Sequence, residues 1–213
     1  MSENDPDTRW SRIGGVSGEE YAARFAERAR SGADMHGEAR FCAALVPAGA
    51  SVLDAGCGTG RVATHLAELG FSCVGADVDE SMLGVARCTA PHIPWHQADL
   101  SRISARDLAG ATGFDLVVMA GNVVPLLAEG TLNRTVAALA DLMAPAGLLV
   151  AGFGLDPAHL PPRCPVTPLE EYDAACAEAG LVLRERYSTW DGAPHDPAAG
   201  YAVSVHAPGR VAP

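Results

Sequence analysis

Three carboxylates close successive apolar runs in this chain, and the first is followed directly by glycines. Residues 51 to 60 read SVLDAGCGTG: a short apolar run carrying Asp54, then Gly56, Gly58 and Gly60 alternating with Cys57 and Thr59. Glycines this dense mark a backbone that turns where a side chain would clash, or that lies close against something else. Asp77 closes the next run, FSCVGAD, and Asp99 closes IPWHQAD. A carboxylate at the end of the second strand, after a glycine loop, is the fingerprint of a nucleotide site, where it accepts hydrogen bonds from ribose hydroxyls. Cys57 has no base beside it and reads as a small filler between glycines, not a nucleophile. Asp54 has a second role open to it, since Asp commonly bonds nearby main-chain N–H groups in turns. For Asp99 that second role is the N-cap of the following turn, LSRIS.

The elements that must position these acids alternate in kind. SVLDA predicts a strand, and GRVATHLAELG predicts a helix with Val62, Leu66 and Leu69 on one face and Gly70 as its stop. FSCVGAD is the next strand and ESMLGVARC (80–88) the next helix. IPWHQAD is a weaker strand, since Pro94 allows only an edge strand or a place among a strand's first residues. FDLVVMAG (114–121) is a buried strand, GTLNRTVAALADLM (130–143) a helix, and GLLVAGFG (147–154) another buried strand. Strand and helix alternating in this way imply parallel strands with crossover helices, an α/β doubly wound sheet. The end differs. After the helix LEEYDAACAEAG come LVLRERYSTW (181–190) and GYAVSVHA (200–207), joined by a short turn-like stretch and therefore antiparallel. Upstream, residues 1–18 read as a loose polar arm, EEYAARFAERAR (19–30) as a helix striped by Tyr21, Phe25 and Ala29, and EARFCAAL (38–45) as another. The chain is read as one domain: residues 1–50 form an arm and helices over the site, and residues 51–213 form the core.

Composition removes other function classes. A formal net charge of −11, with only 15 Lys and Arg among 213 residues, speaks against a nucleic-acid binder, which needs a basic face. The six cysteines form no C-x-x-C pair and no Cys/His cluster with zinc spacing, so no metal is expected. They read as free thiols in a reducing compartment. The opening MSENDPDTRW lacks the basic and apolar regions of a signal peptide, and no apolar stretch reaches a membrane span. The expectation is a cytoplasmic protein without a membrane partner. Nothing in the sequence demands a particular oligomeric state.

Two cofactors compete for the glycine loop. GTGRVA (58–63) fits the dinucleotide pattern G-x-G-x-x-G/A, which would make the protein an NAD(P)-dependent oxidoreductase. Pyrophosphate favours a helix N-terminus, but a carboxylate at Asp54 would repel it there. S-adenosylmethionine carries no phosphate; it carries a sulfonium and an ammonium, which an acid suits. On this reading the glycines let the main chain lie against an uncharged nucleoside, and the acid balances a cation. At these residues the sequence resembles the class I S-adenosylmethionine-dependent methyltransferases. VLDAGCGTG resembles their first motif, placing Asp54, Gly56, Cys57 and Gly58 at the cofactor. VGADVDESML resembles the second, with Asp77 on the ribose and Val78 and Met82 beside the adenine. WHQADL resembles the third, with Asp99 near the adenine amino group and Leu100 near the ring. FDLVVMAGNVVPLL resembles the fourth, bringing Ala120 and Gly121 to the cofactor. The resemblance runs in order from about Val52 to Gly154. It implies a seven-stranded, mostly parallel sheet with an antiparallel C-terminal strand. It also implies methyl transfer to a small-molecule acceptor, with S-adenosylhomocysteine as product. Aminopropyl or carboxymethyl transfer on the same fold, and a non-catalytic nucleoside-binding protein, are the other readings.

The acceptor side rests on less. GADMHGEAR (32–40) places Asp34, His36 and Glu38 in a glycine-punctuated break, either over the cofactor, along the acceptor site, or in a solvated turn. Asn122, after the fourth strand, is expected near the methyl group, where it could orient an acceptor. GNVV departs from the N/D-P-P-Y/F motif of the family's nucleic-acid amino methyltransferases, which argues against DNA bases. RYSTWDGAPH (186–195) brings Tyr187, Trp190 and His195 either over the acceptor or into an exposed hairpin. If the acceptor must lose a proton, His36 is the first candidate base and His195 the second. His65 reads as a partly exposed residue of the first crossover helix, and His159, His195 and His206 show no ligand spacing.

Overall fold

A computed structural model of the chain describes residues 8–13 and 16–209. The strands are β1 (Ser51–Ala55), β2 (Ser72–Asp77), β3 (Trp95–Gln97), β4 (Phe114–Met119), β5 (Met143–Gly154), β6 (Leu181–Tyr187) and β7 (Tyr201–Pro208). The helices are α1 (Arg9–Arg12), α2 (Gly18–Arg30), α3 (Gly37–Leu45), α4 (Arg61–Glu68), α5 (Glu80–Thr89), α6 (Val123–Leu126), α7 (Leu132–Asp141) and α8 (Leu169–Glu178). The strands form one sheet in the order β3-β2-β1-β4-β5-β7-β6. β7 runs antiparallel to both neighbours and the other pairings are parallel. This is the doubly wound α/β fold with an antiparallel C-terminal strand that the element pattern predicts.

The near-continuous apolar strands exist because both faces of the sheet are covered. Successive residues alternate between two cores. Leu116 and Val118 of β4 face α3, α4 and α5, among Cys42, Leu66 and Leu83. Val117 and Met119 face α7 and α8, among Val136, Leu139 and Tyr172. Each fully buried Val, Leu or Phe in these layers contributes about 1.5–3 kcal/mol relative to exposure. Chain order reverses sides between β1 and β4, which opens a crevice at the carboxyl ends of those strands.

Several boundaries differ from the sequence reading. The helix expected over 130–143 ends at Asp141, and β5 begins at Met143, four residues earlier than expected. Pro145 and Gly147 disguise this start; the register against β4 shifts there, between Phe114 and Leu116. Residues 188–190 leave the strand expected over 181–190 and turn instead. The arm expected over residues 1–18 contains the helical turn α1, capped by the Thr8 hydroxyl. Residues 1–7, 14 and 15 of that arm lie outside the described residues. Among the described residues no helix is long and apolar enough to cross a membrane.

Candidate functional site

The glycine loop separates into three different jobs. Gly56 (φ 80°) lies against Val123, which a Cβ would strike. Gly60 (φ 78°), the N-cap of α4, lies under the Trp95 ring, and Gly75 of β2 lies under the same ring. Gly58 (φ 53°) differs: nothing stands within 4 Å of the place its Cβ would take. Two of the three glycines therefore admit protein side chains, and only Gly58 leaves room for something else. Gly56 and Gly58 both border the cavity, whereas Gly60 serves the contact with Trp95.

Gly58 opens on a cavity at the crevice between β1 and β4, and the carboxylates converge on it. Asp54 is 2% exposed at the end of β1. Its Oδ2 accepts from the Ala63 N–H at 3.0 Å, a free donor in the first turn of α4. The turn-bonding role and a place in the cavity wall are thus both realised. Burial raises its pKa to about 7. Asp77 accepts from Gly58 N at 2.7 Å and from Asp79 N at 2.9 Å, so it fixes the loop while facing the cavity. Burial raises its pKa too, against those amides. Asp99 accepts from Ser101 N at 2.9 Å, the turn-capping alternative, and also lines the cavity. Asp79 starts α5 by accepting from Ser81 N and Met82 N, which sets Met82 in the wall.

All eleven residues assigned to a cofactor from sequence border this one cavity: Asp54, Gly56, Cys57, Gly58, Asp77, Val78, Met82, Asp99, Leu100, Ala120 and Gly121. Cys57 is 9% exposed and burial pushes its thiol well up, which suits a filler and not a nucleophile. The wall also contains residues that sequence reasoning missed. Thr8 and Trp10 come from α1 and its cap, Tyr21 from α2, Arg61 from α4, and Val123, Leu126 and Leu127 from α6 and its end. The Trp10 indole N–H donates to Asp79 Oδ2 at 2.9 Å and Arg9 donates to Pro125 O at 3.3 Å, so α1 is tied to both sides of the opening. The one sequence hint was an indole inside an otherwise polar arm.

The acceptor-side candidates do not join them. Asn122 (φ 69°) accepts from Gly154 N at 2.7 Å and donates to His159 O at 3.0 Å; both ends of its amide hold the loop, and it is not in the wall. His36 stacks on His65 with ring centroids 4.0 Å apart, in a separate groove on the outer side of α4. Burial lowers its pKa, with His65 and Arg61 adding to the effect. His195 lies in the β6–β7 connection, away from the cavity wall. Trp190 of that connection packs on Gly152, donates to the Tyr201 hydroxyl at 3.1 Å, and meets Phe41 edge-on, as does Tyr187. Aromatic packing against α3 consumes this hairpin. Asp34 is exposed and paired with Arg40. Glu38 is absent from the wall and acts behind it, on Arg61. Among the described residues no His, Cys, Asp and Glu cluster could hold a metal ion.

The cavity fits S-adenosylmethionine better than a dinucleotide. It offers a ribose-side acid at Asp77, apolar ring contacts at Met82 and Leu100, and an open backbone at Gly58. A pyrophosphate there would face the buried Asp54 and Asp77 carboxylates.

Comparison with known proteins agrees. Residues 52–147 match the family model described as "Methyltransferase domain". A solved structure, the TehB-like SAM-dependent methyltransferase of Corynebacterium glutamicum, is 31% identical with a TM-score of 0.79, over 90% of this chain and 98% of that one. A curated relative from Geobacillus sp. (strain WCH70), named provisionally as a methyltransferase, is 33% identical over 104 residues, 46% of this chain and 40% of its own length. The dTDP-3-amino-3,6-dideoxy-alpha-D-glucopyranose N,N-dimethyltransferase of Streptomyces fradiae is 32% identical over 124 residues, 56% of this chain and 47% of its own. The chain thus aligns with less than half the length of each curated relative.

Proposed function

The chain belongs to the class I S-adenosylmethionine-dependent methyltransferases, and on that premise we propose that it methylates an amine nitrogen of a small, phosphate-free acceptor. The carrying observation is the composition of the cavity wall. Beyond the cofactor motifs its described residues are mostly apolar, with Trp10, Val123, Leu126 and Leu127 beside Thr8, Tyr21 and Arg61, and none is an imidazole. Its acids are engaged in holding the loops: Asp54 by Ala63, Asp77 by Gly58 and Asp79, Asp99 by Ser101. A hydroxyl acceptor needs a base in place; an amine entering as its free base attacks with its own lone pair.

When bound, the cofactor supplies a methyl group already activated on a sulfonium. The chain's part is orientation and exclusion of water. Asp77 keeps lone pairs for ribose hydroxyls beyond its two backbone bonds. Asp99, Val78, Met82 and Leu100 form the adenine end. α1 and α2 cover the site through Trp10 and Tyr21. The nitrogen assignment is supported by the Streptomyces fradiae relative, whose name specifies N,N-dimethylation. A dTDP-linked acceptor suits this wall poorly, because Arg61 is the only cation among its described residues.

The test is product mass spectrometry after incubation with S-adenosylmethionine and a panel of aliphatic amines, free amino sugars, a dTDP-amino sugar and phenols. Methyl increments on amines and free amino sugars are expected. Methylation confined to phenols would refute the nitrogen assignment. Cofactor binding without turnover on any acceptor would favour a non-catalytic nucleoside-binding protein.

A further inference from the structure

His36 takes no part in the cavity wall, yet it sits at the junction that holds the wall's cover in place. Its ring stacks on His65 of α4, with centroids 4.0 Å and planes 26° apart, in a groove shared with Phe25 of α2 and Val85 of α5. His36 Nδ1 is buried and has no hydrogen-bond partner among the described residues. With the proton on Nε2, a neutral imidazole leaves Nδ1 as an unused acceptor. A protonated one must donate from both nitrogens. Charging His36 in place would therefore bury an unmet N–H together with a positive charge.

The neighbours set the direction in which acid acts. From α4, His65 and Arg61 oppose a charge on His36. Glu68 favours one, but its Oε2 is engaged with His65 Nδ1 at 2.9 Å. Asp34 also favours one, but it is paired with Arg40 and accepts from the His36 N–H at 3.0 Å. Glu38 of α3 is spent on Arg61. α2 faces the groove with Ala22 and Phe25, and Arg28 stands over that ring; α5 faces it with Val85 and Thr89. The β6–β7 connection brings Asp191 towards Gly37 and Arg40. The balance, led by burial, holds His36 below its ordinary 6.5.

The same junction secures α2, which carries Tyr21 into the cavity wall. The first turn of α2 is docked on α5, where Gly18 N donates to Ser81 Oγ at 3.1 Å. Its last turn runs into residues 31–36, which α4 holds through the His36–His65 stack and through Met35 O, an acceptor from Arg61 Nη1. We propose that the His36–His65 stack is an acid-released clasp on the cover that α2 forms. Once the connector leaves α4, His36 takes up a proton in water, so acid favours the open state. The closed state disfavours that proton. Its advantage is full above about pH 6.5 and is lost as pH falls below that value. Opening frees the last turn of α2 and, with it, Tyr21. The effect on a bound ligand rests on the cavity being the cofactor's; the opening itself does not.

Hydrogen–deuterium exchange of the ligand-free protein at pH 7 and pH 5.5, corrected for intrinsic rates, tests the clasp in wild type, His36→Phe and His36→Gln. Phe keeps a ring for the stack, Gln gives it up, and neither titrates. Opening of residues 25–36 in wild type is expected to rise at pH 5.5 by up to about eightfold, the limit for a group released to an ordinary 6.5. Helix α7 should not change, and both variants should ignore pH over residues 25–36. No rise in wild type, an equal rise in either variant, or a rise shared by α7 would overturn the proposal. Stopped-flow release of S-adenosylhomocysteine reads the consequence: acid should quicken it more in wild type than in His36→Phe. Asp54 titrates in both proteins, so the difference between them reports His36. Equal quickening would overturn the link from clasp to cavity. Failure to bind S-adenosylhomocysteine, with exchange as expected, would overturn the cofactor assignment and uphold the clasp.

Discussion

Asp54 shows how one carboxylate can serve the fold and the ligand at once. It starts α4 through Ala63 and stands in the cavity wall, and burial lifts its pKa to about 7 against the opposing pull of Ala63 and Arg61. At neutral pH the empty protein therefore holds Asp54 partly protonated. A cationic ligand favours the ionised form, so binding below that pKa must expel a proton. Affinity for S-adenosylmethionine should rise with pH, by up to about tenfold per unit below pH 6, and level off above about pH 8. Calorimetry across buffers of different ionisation enthalpy would read both the slope and the proton released. Asp54→Asn should bind more weakly and lose the slope. A flat wild-type profile would mean that no ligand cation feels Asp54.

At the scale of elements, Trp95 fixes the distance between β3 and the glycine loop. Its ring covers Gly60 and Gly75, and its indole N–H donates to Ala90 O at 2.9 Å. A Cβ at either glycine would come within 3.0 Å of ring carbons. Gly75 carries no positive φ, so Gly75→Ala isolates the steric contact from backbone strain. We expect Gly75→Ala to destabilise the fold by about 1–3 kcal/mol, as overpacking does. Trp95→Leu should be the milder change in the Gly75→Ala background, since it vacates the contested space. Denaturant midpoints for the single and double variants measure this. A Gly75→Ala protein as stable as wild type would show that the ring can shift without cost.

Across the whole molecule, two buried groups at separate sites oppose each other in acid. His206 of β7 is 1% exposed, and burial lowers its pKa to about 4 from an ordinary 6.5, with Arg186 adding to and Asp173 opposing the effect. The unfolded chain takes up this proton first, so stability is lost as pH falls from about 6.5 towards 4. Asp54 runs the other way: its folded value lies above the ordinary 3.8, so its contribution is full at low pH and is lost as pH rises from about 4 to about 7. Between pH 7 and pH 5 each is worth about 2 kcal/mol, with opposite sign. Wild-type thermal stability should accordingly change little over that range. His206→Phe, which keeps an aromatic ring beside Tyr172, should become more stable on acidification, and Asp54→Asn less stable. Parallel pH profiles for all three proteins would contradict the offset.

The sequence by itself determined the order of strands and helices, the doubly wound sheet and which carboxylates gather at the cavity. These follow from local rules. Strands buried on both faces must be apolar throughout, as FDLVVMAG is, and a carboxylate at a strand end stays on the rim whatever lies elsewhere. Asp54, Asp77 and Asp99 were legible for that reason. What only the tertiary structure decided is who faces the cavity from a distance. Tyr21 looks like one more apolar position of a helical stripe, and Trp10 like part of an arm, until α1 and α2 cross the opening. His36, Asn122 and His195 carry the residue types of an acceptor site, yet stacking, a bidentate amide tie and a hairpin keep them out of the described cavity wall. Spacing along the chain fixes which face of an element a side chain takes. Which neighbour that face meets depends on contacts between residues far apart in sequence, as with Glu38 and Arg61, and no local pattern encodes those.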